Sequence, residues 1–323
     1  MKAALRTVLI FEFLCCSALA AAEPALPQDR PRRPAHNEIQ VALEQLPGEY
    51  RSQVRRALRA AGVNGRELIR AVNAARSADE SRGLAFLIAN MPRRDLRSLP
   101  AEFLNENVRL AYRAREETPW GPAIPEEIFL NDVLPYVSLN ERRDSWRGDF
   151  YERFMAAAKN SGTIKDAVAR LNPAAIEELG VAYDAAKRPK PDQSPYESMA
   201  AKYASCTGLS VLLVDVLRAV GIPARIAGIP MWRDKSGNHT WVEVWDGGTW
   251  HHLGAAEPGP YDQAWFTAKA SATDPSDPLH RIYAVSFRRT GLRFPAVWNK
   301  KISYIHAADV TARYLKNAPT RSP

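Results

Sequence analysis

Residues 205–225 read Ser-Cys-Thr-Gly-Leu-Ser-Val-Leu-Leu-Val-Asp-Val-Leu-Arg-Ala-Val-Gly-Ile-Pro-Ala-Arg. Leu209, Leu212, Leu213, Val216, Leu217 and Val220 recur at helical spacing, which predicts a helix with a broad apolar face over Cys206–Val220. Gly221 stops it, and Pro223 just beyond cannot continue it. Cys206 therefore sits at a helix start, with Ser205 or Thr207 placed to cap. The free N–H groups and dipole of that end favour a thiolate, the form in which cysteine attacks acyl groups. A lone cysteine is more often a small buried hydrophobe, so the neighbours decide its meaning.

The character of the chain changes after this helix. Ala224–Ile229 reads as a strand, Thr240–Trp245 alternates as another, and Thr249–Leu253 returns after the turn signal Asp246-Gly247-Gly248. Helices first and antiparallel strands after point to an α+β fold. His239 opens the second strand, where an imidazole facing the helix start would form a Cys–His pair. A third group should orient that imidazole. A three-residue turn at 246–248 pairs Trp245 with Thr249 and sets His239 opposite Ala255, so a carboxylate is expected at 254–256. Gly254, Ala255 and Ala256 supply none. Glu257 is the nearest acid and would come into reach through a bulge near Gly254; Asp262 is a second candidate. The Cys206 N–H is one expected oxyanion donor. No glutamine closely precedes Cys206, and Gln193 would have to be returned by its loop. His251 and His252 are neighbours on a strand and face opposite sides, so they do not chelate one ion, and no other Cys/His spacing suggests zinc. No metal and no cofactor is expected.

Three ordered blocks carry a specific likeness: Ser205-Cys206-Thr207-Gly208, Leu217-Arg218-Ala219-Val220-Gly221-Ile222-Pro223-Ala224-Arg225, and Asn238-His239-Thr240-Trp241-Val242-Glu243-Val244. Together they resemble the transglutaminase-like superfamily, with Trp250 fitting a further position of its pattern. The core likeness covers about 194–266. More loosely, Phe129-Leu130, Leu134-Pro135-Tyr136, Glu141 and Trp146-Arg147 are similar to the upstream part of a bacterial exported subgroup, and Asp309-Val310-Thr311 with Tyr314 to its downstream end. The resemblance implies a papain-like core, with a nucleophile helix packed on an antiparallel sheet. It also implies a Cys-His-Asp triad and acyl chemistry on amides. Cys206 and His239 carry over. The Asp does not, because its position is Gly254, and Glu257 is the replacement available. Trp232 and Trp241 are expected to line a substrate groove, and Arg225 to anchor the turn. The implied reaction is attack on a peptide or side-chain amide, with hydrolysis favoured over transamidation. The alternative is an eroded transglutaminase-like binding or assembly module.

Outward from this core, residues 37–125 show helical periodicity and little chemistry. Ser77-Ala78-Asp79-Glu80 is a capping-box candidate, and Met91-Pro92 ends the helix that follows. Residues 126–275 form the transglutaminase-like region, with further helices expected over 147–158, 164–171 and 174–186. Residues 276–323 are expected to complete the domain with strands near 282–287 and 302–306. Met1, Lys2 and Arg6 precede an apolar stretch from Thr7 to Leu19 and the small residues Ala20-Ala21-Ala22, the pattern of a signal peptide over 1–22. A Pro- and Arg-rich leader follows over 23–36. Removal of residues 1–22 would take away two cations, one anion and two cysteines, leaving +7 from the formal +8, and Cys206 as the sole cysteine of three. An exported protein, periplasmic or secreted, is expected, acting on a protein, peptide or envelope polymer. No nucleic-acid motif and no transmembrane segment is found.

Overall fold

The computed structural model describes residues 32–316; the segment expected as a signal peptide, most of the expected leader and the last seven residues lie outside the described residues. The N-terminal part is helical: α1 (His36–Glu44), α2 (Gly48–Ala60), α3 (Gly65–Asn73), α4 (Ala78–Asn90), α5 (Arg93–Leu96) and α6 (Ala101–Glu117). Ser77 caps α4 by accepting from the Glu80 N–H at 3.1 Å, and Met91-Pro92 ends it. Next come α7 (Glu126–Asp132), α8 (Trp146–Lys159), α9 (Ile164–Leu179), β1 (Ala182–Tyr183), α10 (Pro195–Ala201), β2 (Tyr203–Ala204) and α11 (Cys206–Ala219). The rest of the chain supplies β3 (Ala224–Ile229), β4 (His239–Asp246), β5 (Thr249–Leu253), α12 (Thr267–Ser271), β6 (Tyr283–Ser286), β7 (Leu292–Arg293), β8 (His306–Asp309) and α13 (Thr311–Lys316).

Six strands form one antiparallel sheet in the order β5-β4-β3-β6-β8-β7, and β1 pairs with β2 in a separate parallel ribbon. Helix α11 packs between this sheet and helices α8 and α9. The fold is the α+β arrangement of a papain-like core, a nucleophile-bearing helix on an antiparallel sheet, preceded by a helical region. Among the described residues no helix is long and apolar enough to cross a membrane.

Several expectations are corrected. Pro173 lies inside α9 rather than separating two helices, and α9 ends at Gly180, whose φ of 65° breaks the helix before the expected Ala186. The last long strand is His306–Asp309, not 302–306. The β4–β5 turn has two residues, Gly247 and Gly248, because Asp246 still pairs with Thr249. Trp245 therefore faces Trp250, one step from the expected register. On a strand, one step exchanges the two faces. Continued past Leu253, the observed register sets position 254 opposite Trp241, on the face that carries His239.

Helix α11 is buried on every side from Thr207 to Ala219, not on one face only. Its polar residues have to be met inside the protein. The Arg218 guanidinium donates to the carbonyls of Asp132, Ala224 and Val137 at 3.0–3.2 Å. Arg147 of α8 donates to the Asn107 side chain at 2.7 Å and to the carbonyls of Arg218, Val133, Leu134 and Pro135. These donors satisfy backbone oxygens that a buried loop would otherwise leave unpaired. The two arginines thus stitch residues 132–138 to the end of α11. Burial pulls the Arg147 guanidinium down to about 9, with the neighbouring Arg218 charge adding to the effect. The Asp215 carboxyl is fully buried with no hydrogen-bond partner, and burial, reinforced by Glu141, holds it well above the usual carboxylate range.

Candidate active site

Cys206 is the first residue of α11, directly after β2, and its thiol is half-buried. Neither expected cap acts: Ser205 reaches the Pro191 carbonyl instead, and the Thr207 hydroxyl turns to Thr240 at 3.1 Å. That Thr207–Thr240 contact joins the residue after Cys206 to the residue after His239. Ser210 adds a second tie to the Thr240 carbonyl at 3.4 Å. The helix start and the strand start are thereby held side by side.

A cavity of about 520 Å³ opens there, lined by Cys206, His239, Glu257, Trp232, Trp265, Lys269 and their neighbours. The sequence-derived candidates Cys206, His239 and Glu257 thus share one wall system. His239 lies among aromatic rings, with centroids of Trp265 at 4.8 Å, Phe266 at 5.0 Å, Trp241 at 5.8 Å and Trp232 at 6.1 Å. Burial among them lowers its pKa to about 4, so the imidazole is neutral at neutral pH. Its Nε2 is buried and has no hydrogen-bond partner.

The side-chain space at position 254 is filled by another residue. A Cβ built on Gly254 would stand 2.1 Å from Glu257 Oε2 and 2.3 Å from its carboxyl carbon. The Glu257 carboxylate therefore fills the space that a side chain at 254 would occupy. The route there is a tight turn, not the expected bulge. The Glu257 N–H donates to the Gly254 carbonyl at 3.3 Å, and Ala256 adopts φ 67°. Asn172 of α9, itself buried, clamps this turn. It donates to the carbonyls of Gly254 at 2.9 Å and Glu257 at 3.0 Å, and accepts from the Ala256 N–H at 2.9 Å. Sequence reading missed Asn172, which lies more than 80 residues away and has no motif. Trp265 donates its indole N–H to Glu257 Oε1 at 3.0 Å. Partial burial raises the Glu257 pKa, opposed by that bond.

Other expectations change. Trp232 lines the cavity, whereas Trp241 is fully buried behind it and is not among the lining residues. Trp241 donates to Tyr314 Oη at 2.7 Å, and Tyr314 donates to Glu243 at 2.8 Å. Glu243 also accepts from Arg225 and Arg313, and the Arg225 guanidinium lies 3.7 Å above the Trp250 ring. The chain's C-terminal helix thus braces the strand that carries His239. The lining tryptophan overlooked is Trp265, 58% exposed. Gln193 does return to the start of α11, but its amide donates to the Tyr203 carbonyl at 3.0 Å and it does not line the cavity. Asp262 does not approach His239. Its carboxylate takes the Nδ1 atoms of both His251, at 2.7 Å, and His252, at 2.9 Å.

Residues 152–255 match the family model described as the transglutaminase-like superfamily. No curated protein matches the chain. A solved "Putative Cysteine Protease from Cytophaga hutchinsonii" is 17% identical, over 44% of this chain and 46% of that one, with a TM-score of 0.33. This chain therefore spans less than half of that structure's length. Residues 152–255 thus form a transglutaminase-like domain, in which Cys206 opens the central helix and His239 opens the facing strand.

Proposed function

We propose that the protein is an exported thiol acyl-transfer enzyme that cleaves a peptide or side-chain amide. Cys206 is the nucleophile, His239 the proton shuttle and Glu257 the group that orients His239. The observation that carries this reading is the placement of the Glu257 carboxylate in the side-chain space of residue 254, in the wall of the same cavity as a His239 whose buried Nε2 lacks an acceptor. In this mechanism the Glu257 side chain turns to give Nε2 that acceptor, which leaves Nδ1 for the thiol. The Cys206 proton passes to Nδ1 as sulfur bonds to the amide carbonyl carbon. The C–N bond breaks, with His239 returning the proton to the leaving amine. Water then attacks the thioester, His239 takes its proton, and the acid and free thiol are released. An open cavity of about 520 Å³ admits water freely, which favours hydrolysis over transamidation. The signal-like segment 1–22 supports export to the periplasm or beyond.

A second reading, an eroded binding module, draws on the unpartnered Nε2 and the neutral imidazole. Iodoacetamide labelling against pH separates the two. The enzyme reading expects fast alkylation of Cys206 near neutral pH in the wild type and a fall of at least about tenfold in His239→Ala. A thiol that reacts only on unfolding sinks it.

A further inference from the structure

A second concave region lies where the helical region meets the β6–β8–β7 end of the sheet, and it shares no lining residue with the Cys206 cavity. It consists of two adjoining cavities of about 440 and 270 Å³, with Asn90 and Arg289 in the wall of both. Arg56 and Arg288 line the larger one, Arg93 and Arg293 the smaller. Acidic residues are 36 of the chain's 323, yet none lines either cavity. Among the described residues, none of these five guanidinium groups has a carboxylate within salt-bridge distance, whereas the neighbouring Arg82 is held between Glu49 and Glu126. Five cations converging with no acid among them raise the local potential; Arg293 donates to the carbonyls of Thr290 and Leu292, and the other four guanidinium groups make no hydrogen bond among the described residues.

The backbone of this region is fixed in advance. The segment that carries Arg288 and Arg289 is pinned to the helical region: the Arg288 N–H donates to Asn131 at 2.8 Å and the Arg289 N–H to Asn90 at 3.1 Å. His306 lines the smaller cavity. Its Nδ1 is approached by the Arg293 guanidinium and by the Thr290 N–H at 2.9 Å. The Thr290 carbonyl oxygen also lies 2.9 Å from this Nδ1. The larger cavity has an aromatic wall in Tyr50 and Phe86, whose ring centroids are 6.3 Å apart.

We propose that the paired cavities bind a phosphorylated small molecule, with its phosphates around Arg289 and its ring or apolar body against Tyr50 and Phe86. Several guanidinium forks around one space match the many acceptor oxygens of phosphate groups better than the two of a carboxylate. The volumes fall in the range of small-ligand sites. The observations are independent of the acyl-transfer reading.

Calorimetric titration with inorganic pyrophosphate tests the anion part of the site. One-site saturable binding is expected, weakening as salt is raised. Arg289→Ala should weaken it by about tenfold or more, the cost of one charge-assisted contact. Arg170→Ala, which removes the same charge from an exposed face of α9, should bind as wild type. Citrate should bind more weakly than pyrophosphate. Cosedimentation with phosphatidylglycerol vesicles in the same variants identifies lipid-borne phosphate as the source if it, too, depends on Arg289. The proposal is overturned if pyrophosphate fails to saturate, if Arg289→Ala binds as wild type, or if citrate matches pyrophosphate.

Discussion

The two walls of the Cys206 cavity are built to different standards. Behind Cys206, α11 is buried all round and, Asp215 apart, well met: Arg218 and Arg147 satisfy seven different backbone carbonyls, and Thr207 locks to Thr240. Behind the base, His239 Nε2 is buried without an acceptor, and the nearest carboxylate arrives from a turn held by one asparagine. The position of Cys206 is over-determined by the core. The carboxylate proposed to orient His239 depends on a few contacts in a turn. Changes to the first should therefore cost stability, and changes to the second should cost reactivity while the fold persists.

The strongest way to break this comparison is Arg218→Ala. It strips donors from the buried carbonyls of Asp132, Ala224 and Val137 and leaves a cavity beside Asp215. At about 1–3 kcal/mol for each buried acceptor left unpaired, the loss should reach at least about 4 kcal/mol. Chemical denaturation reads it directly. A loss below about 2 kcal/mol would mean that the carbonyls find other donors and that the nucleophile wall is not over-determined.

Next comes Gly254→Ala. The three atoms nearest the added Cβ all belong to the Glu257 carboxyl group, the far end of that side chain, and the chain at 254 does not use the left-handed region. The fold should survive with a small change in Tm, while the carboxylate is evicted. Loss of an orienting carboxylate lowers turnover in related arrangements by up to about 10⁴, so Cys206 alkylation and amide cleavage should both fall by two orders of magnitude or more. The double variant Gly254→Asp/Glu257→Ala moves the carboxylate to the other residue and should recover much of the loss seen in Glu257→Ala. If Gly254→Ala stays active, or the double variant recovers nothing, Glu257 does not stand in for residue 254.

Much of this was legible before any coordinates. Cys206 and His239 are marked by helical and alternating periodicities that end at those residues, and the glycine and proline stops are local. What sequence could not fix was governed by distance along the chain. A one-residue error in the 246–248 turn set the wrong side of β5 toward His239, because strand faces alternate. Glu257 was nameable as the nearest acid, but its path depends on Ala256 at positive φ and on Asn172, a helix residue with no local signal. Trp241 and Trp265 looked alike as letters; only packing shows one sealed behind Tyr314 and the other open to the cavity.

The pH dependence sharpens the comparison from the base side. His239 has a folded-state pKa of about 4, below its unfolded value near 6.5. The unfolded chain takes up that proton first as pH falls. The stability linked to neutral His239 is therefore fully present above about pH 6.5 and is lost as pH falls toward 4, by up to about 3 kcal/mol. Urea denaturation at pH 7, 5.5 and 4 should show His239→Gln losing less stability across that window than the wild type. Parallel curves would mean that the imidazole titrates normally and is not sealed by its aromatic neighbours.

The smallest expected effect is the most diagnostic of how Glu257 works. Trp265→Phe keeps a ring against His239 but removes the indole N–H that binds Glu257 Oε1. Oε2, the oxygen nearest the Gly254 side-chain space, accepts no hydrogen bond among the described residues and is the one left for Nε2. If Trp265 fixes one oxygen so that the other is aimed, losing it should slow Cys206 alkylation at neutral pH by about fivefold, or about 1 kcal/mol, the usual value of one such bond. The same bond lowers the Glu257 pKa against the rise from burial. Its removal should therefore move the acid limb of the rate profile to higher pH, since the carboxylate would protonate sooner. A variant that reacts faster than wild type would reverse the assignment: Trp265 would then be holding the carboxylate away from His239, and opening that contact would be the step that completes the site.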